Sequence, residues 1–196
     1  MVWHTLAAFA QVRRLAGVLV VVSAGDNFFD AQDATFLVAS CGGSTRASSV
    51  LNGLNVLLQR GADPTDWVLV HDAARCLITP ALIDTLIDAC MPDAVGGLLA
   101  LKLPDTLKRE VGGRVAQTVE RGDKWLAQTP QMFRIAELQQ ALLTAGDAVT
   151  DEASALEFVG KSALLVEGNA QNFKVTYPQD FAMAQAILMA RSALTG

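Results

Sequence analysis

Hydrophobic residues of this chain fall into two kinds of segment that alternate along the sequence. Short continuous apolar runs occupy residues 18–23, Trp67–Val70 and residues 96–101, and each run predicts a strand. Longer runs with helical spacing occupy residues 47–59, 80–89 and 178–194. In the first of these, one stripe carries the apolar side chains: Val50, Leu51, Leu54, Leu57 and Leu58. This order predicts an α/β fold, with a mostly parallel sheet flanked by helices on both faces.

Residues 105–128 interrupt this alternation with short β-prone segments and many charges. Leu107–Val111 and Arg114–Val119 flank a Gly-Gly pair, which is typical of a hairpin. The sequence shows no internal repeat, low-complexity tract or linker. We therefore predict one domain over residues 1–196, in which residues 105–128 form a β-arm that protrudes from the main sheet.

The composition restricts the class of protein. Among 196 residues, 52% are hydrophobic and 18% are charged, which excludes a largely disordered chain. The formal net charge of −5 argues against nucleic-acid binding but leaves an anionic small molecule open. No apolar run approaches the roughly 20 residues that span a bilayer, and the first residues lack the features of a signal peptide. We expect a cytoplasmic protein with no membrane partner.

The cysteines indicate neither a zinc site nor a disulfide framework. Cys41, Cys76 and Cys90 are widely spaced, and the chain contains only two histidines. We expect buried or partly buried free thiols.

Residues 41–53 place a glycine pair, small hydroxyl side chains and Arg46 at the start of a predicted helix. Backbone N–H groups at such a helix start can bind an anion or the polar edge of a base. An ordinary loop capped by Ser44 or Thr45 explains the same residues, so both interpretations stay open here.

His71, Asp72 and Arg75 directly follow the predicted strand Trp67–Val70. In parallel α/β sheets, ligands bind beyond the carboxyl ends of the strands. Asp72 is a candidate for binding a metal ion or sugar hydroxyls, and Arg75 for binding a phosphate. The alternative is a buried Asp72–Arg75 ion pair that fixes the loop.

Three further residues are candidates at single positions. Arg121 follows the second arm strand, from which it could reach a second subunit, although a solvated hairpin is the alternative. Thr150 is a predicted helix N-cap, with Ala153 rather than glutamate at the capping-box partner position. Lys174 lies in a short β-prone run and could contact a phosphate, or it is an ordinary surface lysine.

Six motifs in chain order connect these places. They read GGSTRASSVLNGL, WVLVHDAARCLI, DTLKR, ER-x3-WLAQTPQMF, TDEASALE-x2-G and VEGNAQNFKVTYPQDF. Each motif alone is weak, but six in this order and spacing are specific. From about Val2 to the final helix, the chain resembles the 2-C-methyl-D-erythritol 4-phosphate cytidylyltransferases of the non-mevalonate isoprenoid pathway.

The resemblance implies a Rossmann-like nucleotidyltransferase fold, a homodimer formed by exchanged arms, and a divalent cation, usually Mg²⁺. The implied reaction joins CMP from CTP to methylerythritol phosphate and releases pyrophosphate. It also implies roles for individual residues. Cytosine would contact the loop at residues 42–49, namely Gly42, Gly43, Ser44, Arg46 and Ser49. Ribose would lie beside Asp72 and Ala73. The sugar-alcohol phosphate would lie among Asp72, Arg75, Thr106, Arg121, Thr129 and Thr150. Lys174, together with Arg121, would contact phosphates and position the nucleophile.

The sequence departs from the family pattern at its start. Members begin with a strand and a glycine-rich loop of the type P-A-A-G-x-G-x-R, followed by P-K-Q, and this loop binds the triphosphate. Residues 1–6 already match the helix after that loop, so we expect that a first βα unit is omitted here. Without the loop, we expect CTP turnover to fall by at least ~10²-fold. Cys76 replaces a frequent proline, and we expect little effect.

Two alternatives remain beside the implied activity. A cytidylyltransferase for another polyol phosphate, such as ribitol 5-phosphate, would share the nucleotide side of the site. A non-catalytic nucleotide-binding or dimerisation module would share the fold without the chemistry.

Overall fold

The computed structural model describes residues 1–29 and 35–195. Eight strands lie in these ranges: β1 (Leu19–Val21), β2 (Leu37–Ala39), β3 (Trp67–Val70), β4 (Gly96–Lys102), β5 (Leu107–Val111), β6 (Arg114–Val119), β7 (Trp125–Arg134) and β8 (Leu164–Glu167). Six α-helices lie there as well: α1 (Val2–Ala10), α2 (Arg46–Gln59), α3 (Pro80–Cys90), α4 (Ile135–Ala145), α5 (Glu152–Phe158) and α6 (Pro178–Thr195). No helix of this described part has the length and apolarity needed to cross a membrane.

The main sheet has four strands in the order β3-β7-β4-β8. Strands β3, β4 and β8 run in one direction, and β7 runs antiparallel to both of its neighbours. The predicted α/β class is therefore confirmed, and three of the four strands share one direction. The sheet is nevertheless mixed, because β7 lies between β3 and β4 and makes two of the three pairings antiparallel. Strands β1 and β2 form a separate parallel pair.

Helices cover both faces of the main sheet, as predicted. Successive residues of β7 point to opposite faces, so Met132 packs with α1 and α3 while Phe133 packs with α2, α4 and α5. Met132 and Phe133 are 1% and 0% exposed, which places β7 in the centre of the core. The two apolar layers fix the strand ends that carry the polar residues described below.

The arm is a hairpin, with one correction to its predicted extent. Strands β5 and β6 pair antiparallel around Gly112 and Gly113, whose φ angles of 59° and 76° suit the tight turn that glycine permits. Residues 125–128 were predicted to belong to the arm but lie in β7. There Trp125 pairs with Lys102 of the main sheet, so the protruding part ends before Trp125.

Most predicted element boundaries agree with the structure within one or two residues. The predicted strand at residues 18–23 is shorter, because only Leu19–Val21 pairs with a neighbour. The prediction of free thiols is confirmed: Cys76 and Cys90 are buried and Cys41 is partly exposed.

Candidate functional site

Four charged side chains form a continuous chain of ion pairs beyond the carboxyl end of β3. Glu152 accepts two hydrogen bonds from Arg46, at 2.6 Å from Nη1 and 2.9 Å from Nη2. Arg46 Nε donates to Asp72 Oδ1 at 2.9 Å, and Lys174 Nζ donates to Asp72 Oδ2 at 2.8 Å. The sequence predicted three of these residues from three separate motifs, and the structure brings them together.

The charge chain runs from the interior to the surface. In the order of their contacts, the side chains of Glu152, Arg46, Asp72 and Lys174 are 1%, 32%, 16% and 46% exposed, so the first is buried and the last is half-exposed. Burial disfavours the Asp72 carboxylate, but Lys174 and Arg46 outweigh burial and hold the pKa of Asp72 below its ordinary value. Burial raises the pKa of Glu152, and the two Arg46 hydrogen bonds oppose this rise. The ammonium of Lys174 is the open end of the chain.

Asp72 does not pair with Arg75, which corrects the ion pair considered as an alternative above. Arg75 instead donates to the carbonyls of Asn172 at 2.8 Å and Ala127 at 3.1 Å. Among the described residues its buried Nε has no hydrogen-bond partner. The guanidinium therefore ties the turn after β3 to β7 and to the segment before Lys174.

Thr129 links the same turn to β7 through its hydroxyl. Its Oγ1 accepts from the Asp72 N–H at 3.1 Å and lies 3.0 Å from His71 Nδ1. Burial lowers the pKa of His71 to about 4, so the ring is neutral at pH 7. Because Nε2 lies 3.2 Å from the Arg75 carbonyl, Nε2 carries the proton and Nδ1 accepts from Thr129. The predicted substrate residue Thr129 is thus buried and already has two protein partners.

A β-bulge in β7 aims these residues at the site. Opposite β4, the pairing passes from Gln131↔Leu98 directly to Ala127↔Ala100, so residues 128–130 lie outside the regular ladder. The peptide bond between Thr129 and Pro130 is cis. Bulges of this kind re-aim side chains, which explains why buried polar groups occur in a central strand.

The glycine-hydroxyl loop is a capped helix start. Thr45 is the N-cap of α2, and its side chain and that of Ser48 form a reciprocal capping box. The Gly43 N–H donates to Ser49 Oγ at 3.0 Å. A Cβ at Gly43 would lie 2.7 Å from Ser48 Cβ, so this position needs glycine. The capped-loop interpretation is confirmed, while base binding by Gly42, Gly43, Ser44 and Ser49 stays a prediction.

Three predicted site residues lie apart from the charge chain. Thr106, Arg121 and Thr150 are exposed, and in the described part of the protein no hydrogen bond joins them to Asp72 or Lys174. Arg121 Nη1 donates only to the Leu103 carbonyl, at 3.4 Å. Their assignment to a substrate phosphate stays a prediction.

Two local predictions were wrong. The N-cap of α5 is Asp151, not Thr150, and Ser154 completes its capping box. Lys174 lies in an irregular segment rather than a strand, because only single hydrogen bonds such as Val175 N–H to the Ala74 carbonyl, at 2.9 Å, attach it to the turn after β3. Ala73 is exposed in the same turn, and its carbonyl accepts from Thr5 Oγ1 at 3.2 Å.

The sequence placed Glu152 and Gln131 in motifs but indicated no individual role for either residue. Gln131 is buried, donates to Asp151 Oδ2 at 2.9 Å and accepts from the Ala153 N–H at 2.8 Å. A glutamate in a first helical turn is usually explained by the helix dipole, so nothing in the sequence signals that Glu152 is buried. Its presence in the same motif as Thr150 was the one available hint.

The described residues offer no preformed metal cage. No group of three or more histidine, cysteine, aspartate or glutamate side chains lies close enough together in residues 1–29 and 35–195. Asp72 is the carboxylate nearest the open end of the site, and each of its oxygens already binds a cation.

Comparison with solved structures identifies the class of protein. A structure described as "4-diphosphocytidyl-2C-methyl-D-erythritol synthase" superposes with a TM-score of 0.89 and 41% sequence identity, covering 95% of this chain and 90% of that one. The fold is that of an α/β nucleotidyltransferase. The family model "IspD: 2-C-methyl-D-erythritol 4-phosphate cytidylyltransferase" matches residues 1–190. The chain belongs to this family, which confirms the resemblance found in the sequence.

The names of two similar proteins are consistent with this family assignment. The "Bifunctional enzyme IspD/IspF" of Albidiferax ferrireducens is 69% identical over 98% of the chain, and the chain spans 47% of that protein's length. The "2-C-methyl-D-erythritol 4-phosphate cytidylyltransferase" of Paraburkholderia xenovorans is 51% identical over 96% of the chain, which spans 84% of its length.

Proposed function

We propose that this chain transfers CMP from CTP to 2-C-methyl-D-erythritol 4-phosphate, giving 4-diphosphocytidyl-2-C-methyl-D-erythritol and pyrophosphate. Membership of the family supports the reaction. The observation that carries the proposal is the series of ion pairs Glu152–Arg46–Asp72–Lys174. It presents a half-exposed ammonium beyond the carboxyl end of β3. This edge of the sheet is where α/β proteins bind nucleotides.

The chemistry requires two anions to approach each other. A phosphate oxygen of the alcohol substrate attacks the α-phosphorus of CTP, and the bond from that phosphorus to the bridging oxygen of the β-phosphate breaks. Negative charge develops on the non-bridging oxygens and on the departing pyrophosphate, so positioned cations lower the barrier without a covalent intermediate. In the proposal Lys174 supplies such a cation, and Asp72 orients it until substrate binds.

Other residues take the roles that the family resemblance implies. The base contacts the loop at residues 42–49, and ribose lies beside Asp72 and Ala73. The loop is held in one shape by the Gly43 N–H, which donates to Ser49 Oγ, and by the capping box of Thr45 and Ser48. For Arg75 and Thr129 we propose an indirect role, because their polar atoms bind the protein itself.

The donor set does not fit a metal ion held by the protein alone. Asp72 is engaged by Arg46 and Lys174, and Mg²⁺ is commonly bound through one or two carboxylates together with substrate phosphates. We therefore treat the divalent cation as part of the CTP substrate and assign it no protein-bound step.

The proposal includes a homodimer with exchanged arms. Support comes from the hairpin β5–β6, on which Val111 and Val115 are 59% and 68% exposed. Thr106 and Arg121 lie exposed at the base of the arm, where a second subunit could use them. A cytoplasmic location follows from the proposed use of CTP.

Pyrophosphate release tests the proposed reaction. The chain is mixed with CTP, Mg²⁺ and either methylerythritol phosphate or ribitol 5-phosphate, beside Lys174→Met and the matched control Lys161→Met. Lys161 pairs with Glu137 away from the site. We expect release with methylerythritol phosphate that is slow without the glycine-rich loop, loss in Lys174→Met and little change in Lys161→Met. Faster release with ribitol 5-phosphate would mean that this polyol phosphate, and not methylerythritol phosphate, is the substrate. CTP binding without release would instead indicate a non-catalytic module.

A further inference from the structure

Glu152 is fully buried at the first position of α5, and its surroundings fix it there. The residue is 0% exposed. Asp151 and Ser154 close a capping box around it, and Gln131 binds both Asp151 and the Ala153 N–H. Asp151, Ser154 and Gln131 therefore restrain the backbone around Glu152, although the proposed reaction gives this acid no role.

The only ion pair that Glu152 forms within the described residues is with Arg46, and this pair determines how Arg46 meets Asp72. Glu152 occupies both terminal nitrogens of the guanidinium, so only Nε remains for Asp72. An arginine with free terminal nitrogens binds a carboxylate through two parallel hydrogen bonds. By restricting Arg46 to one contact, Glu152 leaves Asp72 Oδ2 to Lys174.

The same four residues also balance in charge. Two carboxylates alternate with two cations, and the sequence of contacts ends at the half-exposed Lys174 ammonium. Removing the charge of Glu152 leaves one net positive charge in the cluster. That change also removes the partner of both terminal nitrogens of Arg46, so Arg46 can compete with Lys174 for Asp72.

We propose that Glu152 is a positioning residue for Lys174, acting through Arg46 and Asp72. Its link to catalysis rests on the proposed function, but its effect on the Lys174 amine does not. The structure thereby assigns a fully buried acid to the control of the charged group at the open end of the site.

Competitive amine acylation followed by peptide mass spectrometry tests this proposal without requiring activity. In Glu152→Gln we expect the Lys174 amine to react about 3- to 10-fold faster than in the parent chain, relative to Lys108 on the arm. The double variant Arg46→Gln/Glu152→Gln restores charge balance, so Lys174 reactivity should return towards the parent value. The control Glu137→Gln should leave Lys174 unchanged, since Glu137 pairs with Lys161.

The outcomes separate this proposal from general damage to the fold. Local unfolding in Glu152→Gln would expose Lys174 in the double variant as well, so the absence of recovery overturns the proposal. A change of less than about twofold in Glu152→Gln also overturns it. Urea unfolding of each variant shows whether it is folded. If Glu152→Gln unfolds, the double variant can still be compared with the parent chain, because it buries no unpaired charge.

Kinetics then connect the amine to turnover. If the chain is active, Glu152→Gln should lower kcat/KM about tenfold, and Glu152→Gln/Lys174→Met should be no slower than Lys174→Met alone. Additive losses would overturn the route through Lys174. An inactive parent chain with the expected labelling would contradict the proposed function and leave the positioning role supported.

Discussion

At the scale of single residues, the Thr129 hydroxyl defines the state of the His71 ring. Thr129 donates to Nδ1 and accepts from the Asp72 N–H, while Nε2–H binds the Arg75 carbonyl. A protonated ring would present a second N–H to Thr129 and would be buried as a cation. Burial outweighs the contacts with Arg75 and Thr129, which favour the charged form, so the pKa of His71 falls to about 4 and the ring is neutral.

Stability should therefore depend on pH through His71. In the folded protein its pKa is lowered from 6.5 to about 4, so between these values the unfolded chain binds more protons and stability falls as pH falls. We expect urea unfolding to show a loss of roughly 3 kcal/mol from pH 7 to pH 4 that is much smaller in His71→Gln. His4→Gln, a change at an exposed histidine, is the control and should keep the parent slope.

Arg121 provides a second prediction at this scale. A charge-assisted contact to the alcohol phosphate predicts that Arg121→Ala raises KM for methylerythritol phosphate about 10- to 100-fold, with little change in the dissociation constant for CTP. Steady-state kinetics and calorimetry measure the two quantities. Arg109→Ala, at an exposed position on β5, is the control. Equal weakening of CTP binding would contradict this assignment and indicate that Arg121 contacts CTP.

Sequence patterns identified the charged partners of this site but not their geometry. Arg46, Asp72 and Lys174 were each found in a motif of the expected kind. The role of Glu152 was missed because sequence periodicity has no signal for a buried acid, whose presence depends on a partner 106 positions away. The pairing of Asp72 with Lys174 instead of Arg75 likewise depends on long-range packing.

At the scale of elements, the start of α2 depends on one position without a side chain. Gly43 approaches Ser48 so closely that a methyl group would displace the capping box of Thr45 and Ser48. This loop is also the proposed base-binding segment, so its shape serves the helix and the site together.

We expect Gly43→Ala to lower the free energy of unfolding by about 1 kcal/mol, the typical value of a lost N-cap. The dissociation constant for CTP should rise in parallel. Urea unfolding and calorimetry provide the measurements. The matched control is Gly17→Ala, because a Cβ at Gly17 meets nothing within 4 Å. If both variants have the same stability, the close approach at Gly43 is tolerated.

Strands with regular apolar patterns were predictable, and β7 was not. The sequence WLAQTPQMFR contains buried polar residues and a proline, because the bulge that aims Gln128 and Thr129 interrupts the strand pattern. Strand β2 is three residues long and too short to give a signal. Helix α4 has apolar residues at Ile135, Leu138 and Leu142, a helical spacing that could have been recognised.

At the scale of the whole molecule, the arm is the part that lacks a partner surface. Its strands β5 and β6 are mostly exposed, and Val115, the second residue of β6, belongs to none of the core clusters in the described residues. A hairpin of this kind is only marginally stable alone, so a second copy of the chain would stabilise it.

Sedimentation at micromolar concentration should therefore show a dimer, and Val115→Asp should shift it towards a monomer. Leu143→Asp on α4 is the control, since Leu143 is 60% exposed on a helix remote from the arm in sequence. A parent chain that sediments only as a monomer contradicts the exchange of arms. A dimer that survives Val115→Asp places the interface elsewhere.

The bulge in β7 divides that strand into two paired segments. Between them, Thr129 contacts His71 and Asp72 in the turn that follows β3. Trp125 to Ala127 pair with β4 on the arm side, while Gln131 to Arg134 pair with β3 and β4 on the core side. Residues 128–130 belong to neither ladder, so a hinge in β7 would lie there if the arm tilted. Because Thr129 also binds His71 and Asp72, such a hinge movement would change the turn that orients Lys174.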